Sequence, residues 1–134
     1  MVHIDHALEE WRAGVLARML VSARAGASQL CIFEQWVVPG AGAPIHHHPV
    51  EEVLTVMAGD AGFWLEGETL EMSAGQTLVV PAQWRHGFRN IGRSELHLHA
   101  VLASAEFEAT LEGSGETIRR WGALFPDDGS AGYR

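Results

Sequence analysis

Apolar and polar positions alternate along most of this chain in short runs broken by turn residues. Leu16–Ser22 and Gln29–Val38 are two such runs, separated by the turn signal Arg24-Ala25-Gly26-Ala27. Glu52–Met57 alternates and stops before Gly59-Asp60; Gly62–Leu65 and Thr69–Met72 flank Glu66-Gly67-Glu68, which predicts a hairpin. Thr77–Val80 runs into Pro81, Arg85–Asn90 follows, and Ile91–Ser94 turns the chain into Glu95–Leu102. Turns recur about every eight to twelve residues, the rhythm of an all-β sandwich or barrel. Only the ends depart from it. Ala7–Leu16 is expected to hold a short helix, and Glu116–Phe125, with apolar residues at 118, 121 and 125, one or two amphipathic helical turns. From Pro126 onward the sequence reads as a loose tail. No internal repeat or linker divides the chain. The expectation is one domain over residues 1–134, with a barrel core at about 15–110 and a C-terminal extension at about 113–134.

Composition narrows what such a barrel does. At 134 residues and 47% hydrophobic content the chain is long and apolar enough to bury a core. Its net charge of −8 disfavours nucleic acid and anionic membrane surfaces, which need basic patches. No apolar run is long enough to span a bilayer, and the N-terminus lacks the pattern of a secretory signal. The single cysteine, Cys31, allows no intrachain disulfide, fits a cytoplasmic location, and sits in an apolar run that reads as buried. There is no lysine, so Schiff-base chemistry and a phosphate-loop lysine are excluded. Histidine and carboxylate remain to carry chemistry.

Two stretches concentrate them: Gly40-Ala-Gly-Ala-Pro-Ile-His46-His47-His48-Pro49-Val50-Glu51-Glu52, and Gly75 through Pro81 and His86 to Asn90. Several imidazoles and a carboxylate on short strands are ligand chemistry for a borderline metal. Residues two apart in a strand share a side, so His46 and His48 point together and His47 points away. Glu52 has the same parity, but a straight strand would hold it roughly 20 Å from His46. The chain must therefore bend between His48 and Glu52, and Pro49 marks the place. In the second stretch His86, Phe88 and Asn90 share an inward face, opposite Arg85 and Arg89. His97 and His99 share one face of a later strand and read as ordinary strand residues, with a place beside the pocket as the alternative; His3 and His6 read as uninvolved.

These stretches resemble the two signature motifs of the cupin superfamily. The first, G-x5-H-x-H-x3-E-x6-G, is matched at every position by Gly40, His46, His48, Glu52 and Gly59. The second, G-x5-P-x-G-x2-H-x3-N, is matched by Gly75, Pro81, His86 and Asn90, while Gln83 stands in place of the middle glycine. The resemblance implies a small single-domain cupin with a double-stranded β-helix, or jelly-roll barrel. It implies that His46, His48, Glu52 and His86 hold one divalent transition-metal ion (Fe, Mn, Ni, Cu, Co or Zn) at about 2.0–2.4 Å. It leaves the reaction open, because one barrel hosts many chemistries.

On a six-coordinate ion that ligand set leaves about two open positions for a small-molecule substrate. A dioxygenase-like enzyme is the leading expectation; a non-catalytic metal or small-molecule sensor, and an isomerase or lyase, are the alternatives. The sequence does not name catalytic residues beyond the ligands. A homodimer is expected, in which Leu16–Ser22 or its neighbours extend the partner's sheet. At Gln83 the expectation is a turn of altered type with negative φ, sparing a non-glycine residue the left-handed region.

Overall fold

The computed structural model of the protein describes residues 6–123. Twelve strands form two antiparallel six-stranded sheets, with one turn of 3-10 helix at Ala23–Ala25. The strands are β1 (Glu9–Arg12), β2 (Val15–Val21), β3 (Cys31–Val37), β4 (Gly42–His47), β5 (Glu52–Ala58), β6 (Asp60–Leu65), β7 (Glu68–Ser73), β8 (Thr77–Val80), β9 (His86–Asn90), β10 (Leu96–Leu102), β11 (Phe107–Leu111) and β12 (Thr117–Arg120). One sheet runs β1-β2-β3-β10-β5-β8, the other β12-β11-β4-β9-β6-β7. The all-β expectation holds, and the two sheets enclose the core as a jelly roll does.

Period-two alternation builds that core. Cys31, Phe33, Gln35 and Val37 of β3 point inward, as do Leu96, Leu98, Ala100 and Leu102 of β10, and the two strands pair directly. Phe33, Phe63, Leu96, Leu98 and Leu102 are almost fully buried, each contributing about 1.5–3 kcal/mol of hydrophobic transfer. Cys31 is buried as expected, and burial, then the nearby Glu52 charge, pushes its thiol up to about 12. The hairpin between β6 and β7 closes through Glu66 and Gly67, both at positive φ (46° and 88°), as a two-residue loop matching the strand twist requires.

Both helical expectations fail. Ala7–Leu16 instead contains β1 and the start of β2, joined by a tight turn at Ala13-Gly14, where Gly14 has φ +80°. Alternation then turns Trp11 onto Phe33, Phe107 and Trp121, with ring centroids 5.2–5.4 Å away. Thr117–Arg120 is strand β12, paired in register with β11; tertiary pairing overrides a weak helical period. The rest of that segment, from Leu124, and the tail lie outside the described residues, as does His3. Of the segment expected, with its neighbours, to extend a partner's sheet, β2 is hydrogen-bonded to β1 on one side and β3 on the other, so on that side of the sheet the edge strand is its neighbour β1.

Gln83 also departs from expectation. Its φ is +70°. The Trp84 N–H closes the turn onto the Pro81 carbonyl at 3.1 Å, and a positive φ at the third residue is what a type II turn demands. The compensation invisible in the sequence is the Gln83 N–H, which donates to the His48 carbonyl at 2.8 Å and ties the two histidine stretches together. A left-handed non-glycine residue costs about 1–3 kcal/mol, and glycine's looser unfolded chain returns about 0.5–1 kcal/mol of that. Gln83→Gly is therefore expected to raise the melting temperature by roughly 2–4 °C, read by differential scanning calorimetry. A fall would mean that the Gln83 side chain itself stabilises the turn.

Candidate metal centre

The bend inferred at Pro49 is where the chain changes sheets. β4 ends at His47 in one sheet, residues 48–51 turn, and β5 begins at Glu52 in the other. His46 lies opposite His86 in the β4–β9 ladder, and Leu102 and Val80 flank Glu52 in the facing sheet. The ligand nitrogens of His46, His48 and His86 lie within 4.8 Å of one another. Glu52 Oε1 sits 3.3 Å from His48 Nε2 and 3.1 Å from His86 Nε2. His48, Glu52 and His86 are 1–3% exposed. All four side chains singled out in the sequence meet at one place, and His47 stays outside the group.

Each imidazole is held by its other nitrogen. The Nδ1–H of His46 donates to the Pro44 carbonyl (2.7 Å), that of His48 to Glu108 (2.8 Å) and that of His86 to Trp84 (2.9 Å). This fixes the tautomer and leaves each Nε2 with its lone pair. The lone pairs then face an acceptor, the Glu52 carboxylate, at close range. Acceptor against acceptor is repulsive unless a positive charge lies between them, and His48 Nε2 is buried with no hydrogen-bond partner. Donors at about 2.1 Å from one ion and at right angles are about 3.0 Å apart, near the contacts of Glu52 with His48 and His86. The residues present fit a divalent transition-metal ion.

Charge coupling agrees. Burial, then the neighbouring imidazoles of His86 and His48, hold the His46 pKa down to about 3. Burial pulls His48 down as well, but the Glu52 charge and hydrogen bonding outweigh it and raise its pKa above the ordinary 6.5. Burial opposes ionisation of Glu52, yet His48 and His86 outweigh it and hold the carboxyl well below the usual range. A metal ion must displace the His48 proton. Below the raised His48 pKa, affinity is therefore expected to fall about tenfold per pH unit for that proton, starting above pH 6.5, and to level off at higher pH. His46 adds no competing proton until pH about 3. Isothermal titration with Zn(II) across pH 5–8 measures the slope; a slope of three protons per ion would refute this assignment.

Around the donors lies a cavity walled by Phe33, Leu54, Phe88 and Phe107 and carrying Arg12, Gln35 and Arg120. These last three were missed in the sequence. Gln35 left a trace there, a polar residue where the Phe33–Val37 alternation calls for an apolar one. Arg12 and Arg120 left none, since both fell in segments read as helical. His97 lies on the other face of β10, stacked on Trp36 (4.7 Å) and bonded to Glu34 (3.0 Å). His97 and His99 therefore take no part in the cavity. Asn90 acts as a brace: its Nδ2 donates to the Val37 and Ser94 carbonyls, both at 2.9 Å, and its Oδ1 accepts from the Gly92 N–H.

Residues 33–102 match a family model described as "Cupin domain". The chain is 34% identical over 88 residues to "Polyketide synthase CurC" of Streptomyces cyaneus, covering 65% of this chain and 57% of that protein. It is also 34% identical over 88 residues to "Protein SchB" of Streptomyces halstedii, covering 65% and 64% respectively. The chain thus spans less than two thirds of the length of the curated relatives it matches. Among solved structures, the polyketide cyclase RemF from Streptomyces resistomycificus superposes with a TM-score of 0.69 at 22% identity, over 96% of this chain and 88% of that one. Among the described residues no helix is long and apolar enough to cross a membrane.

Proposed function

Because this chain belongs to the cupin family, we propose that His46, His48, Glu52 and His86 hold one divalent transition-metal ion in a small-molecule enzyme, and that the reaction is a ring closure of the polyketide cyclase type. The observation that carries the metal reading is the set of three Nε2 lone pairs aimed, with a carboxylate, at one buried point, each fixed by a backbone carbonyl behind it. A relative named for polyketide synthesis at 34% identity supports the choice of chemistry over the dioxygenase expected from the ligand set alone. A bound divalent ion would supply Lewis acidity to a substrate carbonyl and so acidify the adjacent C–H.

The chain's own residues supply the rest. Phe33, Phe88 and Phe107 exclude water and offer flat apolar walls against which a polyketone chain folds. Backbone carbonyls at Pro44, Trp84 and Glu108 hold Nδ1 of each imidazole and turn its Nε2 inward, so the donors are oriented before a ligand arrives. The test is to incubate the metal-loaded protein with a linear poly-β-ketone thioester and follow aromatic absorbance and dissolved oxygen together. Cyclised product with no oxygen uptake supports the proposal. Stoichiometric oxygen uptake would replace it with the dioxygenase reading.

A further inference from the structure

The cavity contains two cations that the metal site does not explain. The chain has no lysine, and the described residues contain eight arginines. Arg18, Arg85 and Arg119 pair with carboxylates on the surface; Arg24, Arg89 and Arg93 are exposed. Arg12 and Arg120 alone are half-buried with no carboxylate within 4 Å among the described residues, and both line the cavity that holds the three imidazoles. One Arg12 nitrogen is anchored on the Gly42 carbonyl at 3.1 Å. The Arg120 guanidinium lies over the Trp11 ring at 4.5 Å, and its Nε is buried without a hydrogen-bond partner. Gln35, 5% exposed and facing the same cavity, has its Oε1 unpartnered as well.

Placing two like charges together away from water is costly unless an anion joins them. Burial lowers the pKa of both guanidinium groups, Arg120 lowers Arg12 further, and Glu9 only partly restores Arg120 while accepting from the indole N–H groups of Trp11 and Trp121. In a chain of net charge −8, such a pair is not a general attraction for anions but a local one. Guanidinium is the side chain that grips a planar oxyanion through parallel N–H donors, and an unpartnered amide oxygen beside it suits a hydroxyl donor.

We propose that the ligand of this cavity is an organic acid anion, its carboxylate or enolate oxygens held by Arg12 and Arg120 and a further hydroxyl donating to Gln35 Oε1. The inference rests on reading the cavity as a substrate site. It narrows the substrate to an acid whose oxyanion end lies at the arginines of β1 and β12, in the same cavity as the metal donors, so that the two arginines set the direction in which the molecule lies.

The experiment is a calorimetric titration of metal-loaded and metal-stripped protein with two acids, glycolate and 3-hydroxybenzoate, and their neutral counterparts, glycolamide and 3-hydroxybenzyl alcohol. In metal-stripped protein at least one acid is expected to bind tenfold or more tighter than its neutral counterpart, with affinity falling as NaCl rises. Arg12→Gln and Arg120→Gln should each remove most of that preference without changing the neutral ligands, and Arg119→Gln, on the exposed face, should leave it intact. Where a glutamine variant fails to fold, Arg12→Lys or Arg120→Lys keeps the charge, and the salt dependence of the wild-type protein still decides. No preference for either acid, or a preference seen only with metal and unchanged by the arginine substitutions, overturns the proposal. Metal content is measured on the same samples. Full metal content without acid preference removes this inference alone, and acid preference in protein that takes up no metal on loading removes the metal reading alone.

Discussion

His48→Ala is expected to bind metal at least ~100-fold more weakly than the wild-type protein, while keeping its β-sheet signature. Loss of a group that merely orients a ligand typically costs 10–100-fold in affinity, and His48 is placed as a donor itself. Its Nε2 is buried, unpartnered and 3.3 Å from Glu52 Oε1. The barrel persists because its apolar core draws on strands of both sheets, from β2 to β11, and does not depend on one imidazole at the cavity. Some stability is nonetheless lost, since Glu52 is 3% exposed and keeps only His86 as a partner; such a carboxylate protonates rather than remain charged and alone. Elemental analysis after dialysis, with far-ultraviolet circular dichroism on the same sample, reads both effects. One equivalent of tightly held metal in the variant would remove His48 from the ligand set.

The largest effect on folding is expected at Gly42→Ala. A Cβ on Gly42 would stand 1.9 Å from the Phe88 carbonyl oxygen and 2.8 Å from the Arg89 Cα. Both obstacles are backbone, so no side chain can swing aside, and β4 must separate from β9. Overpacking of side chains alone costs about 1–3 kcal/mol, and a backbone clash this close belongs in the range above 4 kcal/mol reserved for severe lesions. The same ladder sets His46 opposite His86, so metal binding should fail together with stability. Chemical denaturation of Gly42→Ala beside Gly40→Ala separates the cause. Gly40 has φ +84° but nothing within 4 Å of an added Cβ, so that change carries conformational strain without the clash. Equal losses in the two variants would show that strain, not the close approach, dominates.

The all-β architecture was legible in the amino-acid sequence because it depends on short-range periodicity, and the four residues of the candidate centre because their spacing resembles the two cupin motifs. Alternation of period two assigned Thr77–Val80 to β8 with its observed limits, and placed His86, Phe88 and Asn90 on one inward face. The parity of His46, His48 and Glu52, with a proline between them, required a bend that the structure realises as the passage from one sheet to the other. What failed depended on partners distant in the chain. Ala7–Leu16 and Glu116–Phe125 carry helix-compatible spacing, but hydrogen bonding to β2 and β11 outweighs a propensity worth a few tenths of a kcal/mol per residue. Gln83 accepts a positive φ because its N–H finds the His48 carbonyl 35 positions earlier, a contact no local rule contains. Arg12, Gln35 and Arg120 sit on three separate strands, and only the closing of the two sheets against each other brings their polar ends into one apolar cavity with the imidazoles. The sequence by itself determined the strand periodicity and the residues able to ligate a metal. The tertiary structure decided which charges face the ligand, because burial without a partner arises only when distant strands meet.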